Sequence, residues 1–163
     1  MIIKKLIELE NLDKTIYETV SEVNLFNTII KDYHLYIIYK LINLESLCLN
    51  SCKITKISKK IGRLDKLKSL DLGNNKLIEI PKEIGNLYKL EIIDFSNNNI
   101  MKIPIEIGKL INLKNLYLWI NKIKEIPQEI NNLHNLEILY LINNPYLSLP
   151  IFNNLKKLKN ICL

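Results

Sequence analysis

Several classes of function are excluded by what this 163-residue sequence has little of. Its 3 cysteines cannot complete a disulfide framework. Its 2 histidines, His34 and His134, have no His or Cys partner at metal-ligand spacing. The 4 glycines form neither a phosphate-binding loop nor a dinucleotide fingerprint, and no nucleophile elbow is present. No cofactor and no metal is therefore expected. The longest apolar stretch, Ile29 to Leu44, is interrupted by Lys31, Asp32, His34 and Lys40, which makes it too costly as a membrane span. The N-terminus begins with a basic segment, but Glu8 and Glu10 break the apolar run before the core of an export signal forms. A soluble protein of the reducing cytoplasm is the expectation.

What is abundant is Ile, Leu, Asn and Lys, with 48% apolar and 25% charged residues, enough to build the core of one domain. Leucines recur at 44, 67, 90, 113 and 136, a spacing of 23 residues held four times in succession. Each opens a segment of the form LxxLxLxxN: LESLCLNSC, LKSLDLGNN, LEIIDFSNN, LKNLYLWIN and LEILYLINN. Beyond each, an apolar residue, then IP, Ile, Gly and Leu follow, as in KLIEIPKEIGNL and NIMKIPIEIGKL.

These segments resemble the leucine-rich repeat family, in its plant-intracellular or Ras-group-like class with the IPxxIGxLxxL ending. The resemblance runs strongly from Leu44 to Leu163. It implies an α/β fold: a right-handed solenoid in a horseshoe arc, with a parallel β-sheet on the concave side and short helical or 3-10 turns on the convex side. It also implies an interaction module that uses its concave face.

The residues support that picture on their own. The LxL core alternates with the two-residue period of a strand, so its leucines face one interior. Asn75, Asn98, Asn121 and Asn144 share a column in which an amide can satisfy the turning backbone of neighbouring coils, with Cys52 in that place in the first coil. Pro81, Pro104 and Pro127 precede Gly85, Gly108 and Asn131 by four residues, the order expected of one helical turn that starts at proline and stops in the left-handed region. The first strong coil has Ser58 for Pro but keeps Gly62, so a less rigid convex side is expected there.

The expected organisation is one domain over residues 1–163: a helical or irregular N-terminal cap (1–19), a degenerate repeat (20–43), five repeats (44–157) and the start of a sixth (158–163). Val20, Val23, Leu25 and Ile30 mark the degenerate repeat, with Thr28 where Asn is expected. Leu158, Ile161 and Leu163 open the sixth, with no polar cap visible after it. An uncovered solenoid end offers apolar side chains and strand groups to a partner or a second copy, so a homodimer through that end is the alternative functional reading.

Little speaks for catalysis. The two histidines fall in different places and are expected to face solvent. Cys48 should lie on the concave surface, Cys52 inside and Cys162 five coils from Cys48, which at ~4.8 Å per strand is roughly 24 Å and beyond a disulfide. Asp71 and Asp94 occupy adjacent rungs of one concave column, where they could pair as acid and base or hold a cation. Without a closed pocket they read better as solvated or partner-contacting carboxylates.

The outward columns carry the functional expectation. Early coils show small and acidic groups, whereas coils three to five bring together Ile92, Tyr117, Trp119, Ile120, Ile138, Tyr140 and Ile142. This patch holds the only Trp of the chain, and Trp and Tyr are frequent interface anchors. Asp71 and Asp94 would border it. The concave columns contain no Lys or Arg, so the net charge of +6 does not point to nucleic acid. Glu45, Lys68, Glu91, Lys114, Glu137 and Lys159 alternate along successive rungs, as do Lys56, Glu79, Lys102 and Glu125, and these are read as register-fixing ladders. The expected function is a non-enzymatic adaptor that binds a protein partner on the concave face, with signalling proteins the partners the resemblance suggests.

Overall fold

The computed structural model describes residues 1–163, the side chain of Leu6 excepted. Eight short strands, β1 (Ile2–Ile3), β2 (Glu22–Asn24), β3 (Ser46–Cys48), β4 (Ser69–Asp71), β5 (Ile92–Asp94), β6 (Asn115–Tyr117), β7 (Ile138–Tyr140) and β8 (Asn160–Cys162), form one parallel sheet in chain order. Register follows the leucine period: Leu47, Leu70, Ile93, Leu116, Leu139 and Ile161 are consecutive partners. The first five of these six are buried, and the next inward column, Leu49, Leu72, Phe95, Leu118 and Leu141, is buried too. Burying each such side chain is worth about 1.5–3 kcal/mol. The gain is shared only between neighbouring coils, because each element packs on its successor.

Opposite the sheet lie 3-10 turns: η2 (Lys59–Arg63), η3 (Lys82–Asn86), η4 (Ile105–Lys109) and η5 (Gln128–Asn132). Pro81, Pro104 and Pro127 cap the last three in extended conformation. At η2 the Ser58 hydroxyl accepts a hydrogen bond from the Lys60 N–H, so a side-chain cap replaces the ring and the turn keeps the same five-residue span.

The glycines after those prolines do not serve the purpose expected of them. No glycine has a positive φ, and Gly85 and Gly108 lie inside their turns. Their reason is close approach: a Cβ on Gly85 would lie 2.8 Å from the Glu106 carbonyl oxygen, and one on Gly108 would lie 2.5 Å from that of Glu129. At the equivalent place in the last turn, Asn131 has room because residues 151–154 form no turn opposite it. Its amide donates to the Ile151 carbonyl and accepts from the Asn153 N–H. Left-handed backbone instead occurs just before the asparagine column, at Ser51, Asn74, Asn97, Ile120 and Asn143.

The asparagine column does what was expected of it. Asn121 accepts from the Ile100 N–H of the preceding coil and donates to the carbonyls of Phe95 and Leu118, and Asn98 repeats the pattern one coil earlier with Leu77, Leu72 and Phe95. In the first coil the Cys52 thiol donates to the Leu25 carbonyl. Among the described residues no buried side-chain nitrogen or oxygen lacks a partner.

The N-terminal segment, expected as a helical or irregular cap, holds helical turns and also a strand. Besides helix α1 (Leu6–Glu10) and the 3-10 turn η1 (Lys14–Thr19), it contributes β1, which extends the sheet by a rung over the degenerate coil. That coil carries an α-helix, α2 (Asp32–Ile38), in place of a 3-10 turn. His34 does not face solvent: it is 1% exposed, accepts at Nδ1 from the Lys31 N–H and meets Glu10 Oε1 with Nε2 at 3.0 Å. The Tyr33 hydroxyl donates to the same carboxylate oxygen at 2.6 Å. These two hydrogen bonds hold the Glu10 carboxyl below the usual glutamate range and tie α2 to α1. His134 does lie in the open.

Of the charge ladders, the first forms as separate pairs, Glu45–Lys68, Glu91–Lys114 and Glu137–Lys159 at 2.6–2.8 Å, all solvent-exposed and of small energetic weight. The second column forms no ion pair among the described residues. Among the described residues no helix is long and apolar enough to cross a membrane.

Candidate functional site on the concave face

Strand side chains at alternate positions leave the sheet on opposite faces, so each coil presents its third, fifth and seventh motif residues to the concave side. In coils four and five those positions place Tyr117 beside Tyr140 in register, their rings edge to face with centroids 5.4 Å apart. With Trp119, Ile142, Asp94 and Cys162 they line an open depression of about 460 Å³. Five of the nine residues expected to bind a partner, Asp94, Tyr117, Trp119, Tyr140 and Ile142, are thus brought together. The other four border it. Ile138 precedes Tyr140 on β7, Ile120 follows Trp119, Asp71 pairs in register with Asp94, and Ile92, 40% exposed, is separated from Ile138 by the Asn115 rung. The sequence places Cys162 five coils from Cys48 and outside the expected patch; the register Tyr140 to Cys162 makes it a wall of the depression.

The carboxylates of the two aspartates close local turns. Asp71 accepts from the Gly73 N–H and the Asn50 amide, each at 3.0 Å, and Asp94 accepts from the Ser96 N–H at 2.7 Å. Burial pushes the Asp94 carboxyl above its ordinary range, with Asp71 adding to the effect. Among the described residues no cluster of three or more His, Cys, Asp or Glu could hold a metal ion.

Ile120 is the strained member of the face. Its φ is 51°, in the left-handed region that a β-branched residue enters only at a cost. Three of the other four equivalent positions are Asn, and two of these extend a side-chain ladder: the Asn97 amide donates to Asn74 and that of Asn74 to Asn50. Ile120 interrupts the ladder and is 37% exposed. Replacing it with Asn is expected to raise stability by about 1 kcal/mol, seen as a higher Tm in thermal unfolding. A loss of stability would mean that Ile120 is held by packing.

A second hollow, of about 760 Å³, was not foreseen. It opens where α2 replaces a 3-10 turn and stands off η2, over a floor of Leu35, Tyr39 and Ile57. Lys40 and Lys60 lie over the Tyr36 ring at its rim, 4.1 and 4.8 Å from the centroid. The buried Tyr39 hydroxyl, pushed up to about 12 by desolvation, accepts from the Ser58 N–H.

Comparison with known proteins agrees with this architecture. The family model for the leucine-rich repeat matches residues 42–100. A leucine-rich repeat protein of Leptospira interrogans is 28% identical with a TM-score of 0.78, over 100% of this chain and 46% of that one. The plant peptide hormone receptor RGFR1, solved in complex with RGF2, is 32% identical with a TM-score of 0.74, over 89% of this chain and 24% of that one. The Arabidopsis receptor kinase HAESA, solved with the peptide hormone IDA and the co-receptor SERK1, is 26% identical with a TM-score of 0.75, over 86% of this chain and 25% of that one. This chain therefore spans less than half the length of each of these proteins. A search of curated proteins finds no match. The repeat unit matched by the family model, and the same solenoid carried through all eight strands, make this chain a leucine-rich repeat protein.

Proposed function

We propose that the protein is a non-enzymatic adaptor that binds a protein partner on its concave face through coils three to five, with Trp119, Tyr117 and Tyr140 as anchors. The leucine-rich repeat is generally a protein-interaction fold, and two of its solved relatives hold peptide or protein ligands. The observation that carries the reading is the aromatic depression itself: large apolar side chains are gathered there in the open, beside an isoleucine kept in an unfavourable backbone conformation. The repeat imposes that conformation at this place in each coil, and Asn, which tolerates it, fills it at Asn74, Asn97 and Asn143; contact with a partner is a reason for Ile to stand there instead. The cytoplasm, where a chain with no disulfide framework is at home, is the compartment we propose.

The test is capture from a lysate of the source cell, with wild-type protein and with Trp119→Ala plus Tyr140→Ala, followed by mass spectrometry. A protein lost only with the variant, which should fold normally by circular dichroism because both residues are part-exposed, is the expected result. Identical capture by both proteins would defeat the reading.

A second reading is self-association through β8. All three residues of that strand are exposed, as is Leu163 at 63%. An exposed strand edge pairs readily with another. Light scattering across a concentration series separates the two readings, since a monomer at every concentration removes the second.

A further inference from the structure

The concave columns carry acid and no base. Glu22, Asp71 and Asp94 face the same side of the sheet, while Lys and Arg are absent from the outward columns of coils one to five, although the chain as a whole has a net charge of +6. Asp94 stands in the wall of the aromatic depression and Asp71 is its register partner. Between them lies Gly73, where a Cβ, if present, would be 3.3 Å from one carboxylate oxygen of each. The missing side chain lets both carboxylates and the Asn50 amide, whose nitrogen would lie 2.8 Å from that Cβ and which donates to Asp71, gather over the glycine. On its other side Asp94 adjoins Tyr117, its partner in register, whose ring π-face can receive a cation.

We propose that the depression takes a partner segment in which a Lys or Arg side chain lies next to an apolar one, the cation docking at Asp94 and Asp71 and the apolar group on Trp119, Tyr117 and Tyr140. This rests on the concave-face reading above and names the chemistry of the partner. Two adjacent carboxylates with no cation between them repel each other, and burial sharpens the cost for Asp94. An incoming ammonium or guanidinium removes that repulsion at the moment of binding, and an anionic or purely apolar segment does not. The partner is therefore selected by charge as well as by fit.

The experiment is selection of random displayed peptides on the folded wild-type chain, with each winner re-tested on Trp119→Ala plus Tyr140→Ala and on Asp71→Asn plus Asp94→Asn. The aspartate variant should still fold, because each Asn keeps an oxygen that can accept from the Gly73 or Ser96 N–H, and circular dichroism checks this. Winners are expected to carry Lys or Arg within a few positions of an aromatic or aliphatic residue. They should bind about tenfold or more weakly to either variant. Their affinity should also fall as salt is raised. Winners that depend on Trp119 and Tyr140 but lack a basic residue and ignore the aspartate change would overturn this inference and leave the concave-face reading standing. Winners indifferent to Trp119 and Tyr140, or no winners, would overturn both.

Discussion

Replacing Asn121 with Leu is expected to cost about 3 kcal/mol of stability. The side chain is 5% exposed and reaches both ways along the solenoid. Its oxygen is the acceptor for the Ile100 N–H, and its amide donates to the carbonyls of Phe95, Leu118 and Trp119. These acceptors would not all be orphaned. Phe95 and Leu118 also accept from Asn98 and Asn144, and the Trp119 carbonyl also accepts from the Asn97 N–H. The Ile100 N–H has no substitute, and a buried donor without a partner costs about 1–3 kcal/mol, to which the three lost donations add. Leu regains only part of this by apolar contact. Denaturant unfolding followed by Trp119 fluorescence reports on the altered coil directly. Asn121→Cys should be milder, because the Cys52 thiol already makes one of these donations in coil one. If Leu were tolerated without loss, the column would be filling space and not bonding backbone.

The second large effect is expected at Gly108. An alanine there places its methyl 2.5 Å from the Glu129 carbonyl oxygen and 2.7 Å from its Cβ, and the carbonyl is backbone that cannot swing aside. Separating η4 from η5 to admit it should cost about 1–3 kcal/mol. Alanine otherwise favours helical backbone over glycine, so the sign of the result decides which effect dominates. Closest approaches of 2.5, 2.8 and 3.0 Å at Gly108, Gly85 and Gly62 predict decreasing losses in that order. Comparing the Tm values of the three alanine variants checks the order. Equal losses at all three would point away from close approach.

Much of this architecture could be read from the chain because a 23-residue period is a long-range constraint written in local terms. Once Leu44, Leu67, Leu90, Leu113 and Leu136 are aligned, every column follows, including the concave ones. That is why Tyr117, Trp119, Tyr140 and Ile142 fall together in the sequence columns and together in the depression. The errors fall where the period fails or where a column admits more than one cause. Gly85 and Gly108 suggest a left-handed stop as readily as a close contact, and only the neighbouring turn distinguishes them. His34 lies in the coil that departs most from the repeat, where an α-helix supplants the 3-10 turn and buries the ring against Glu10, 24 residues earlier. Strand β1 is two residues long and precedes any leucine signal. Ile120 carries no mark in the sequence of its backbone strain beyond standing where Asn74, Asn97 and Asn143 stand in other coils.

The position of Cys162 makes the concave face chemically addressable. Of the three thiols, Cys52 is buried, and burial pushes the Cys48 thiol up to about 11, which withholds the reactive thiolate. Cys162 alone is exposed, and it forms part of the depression's wall beside Tyr140 and Ile142. A fluorophore, spin label or crosslinker carried on a maleimide would therefore arrive at the candidate binding surface of the unaltered protein, with no engineered handle.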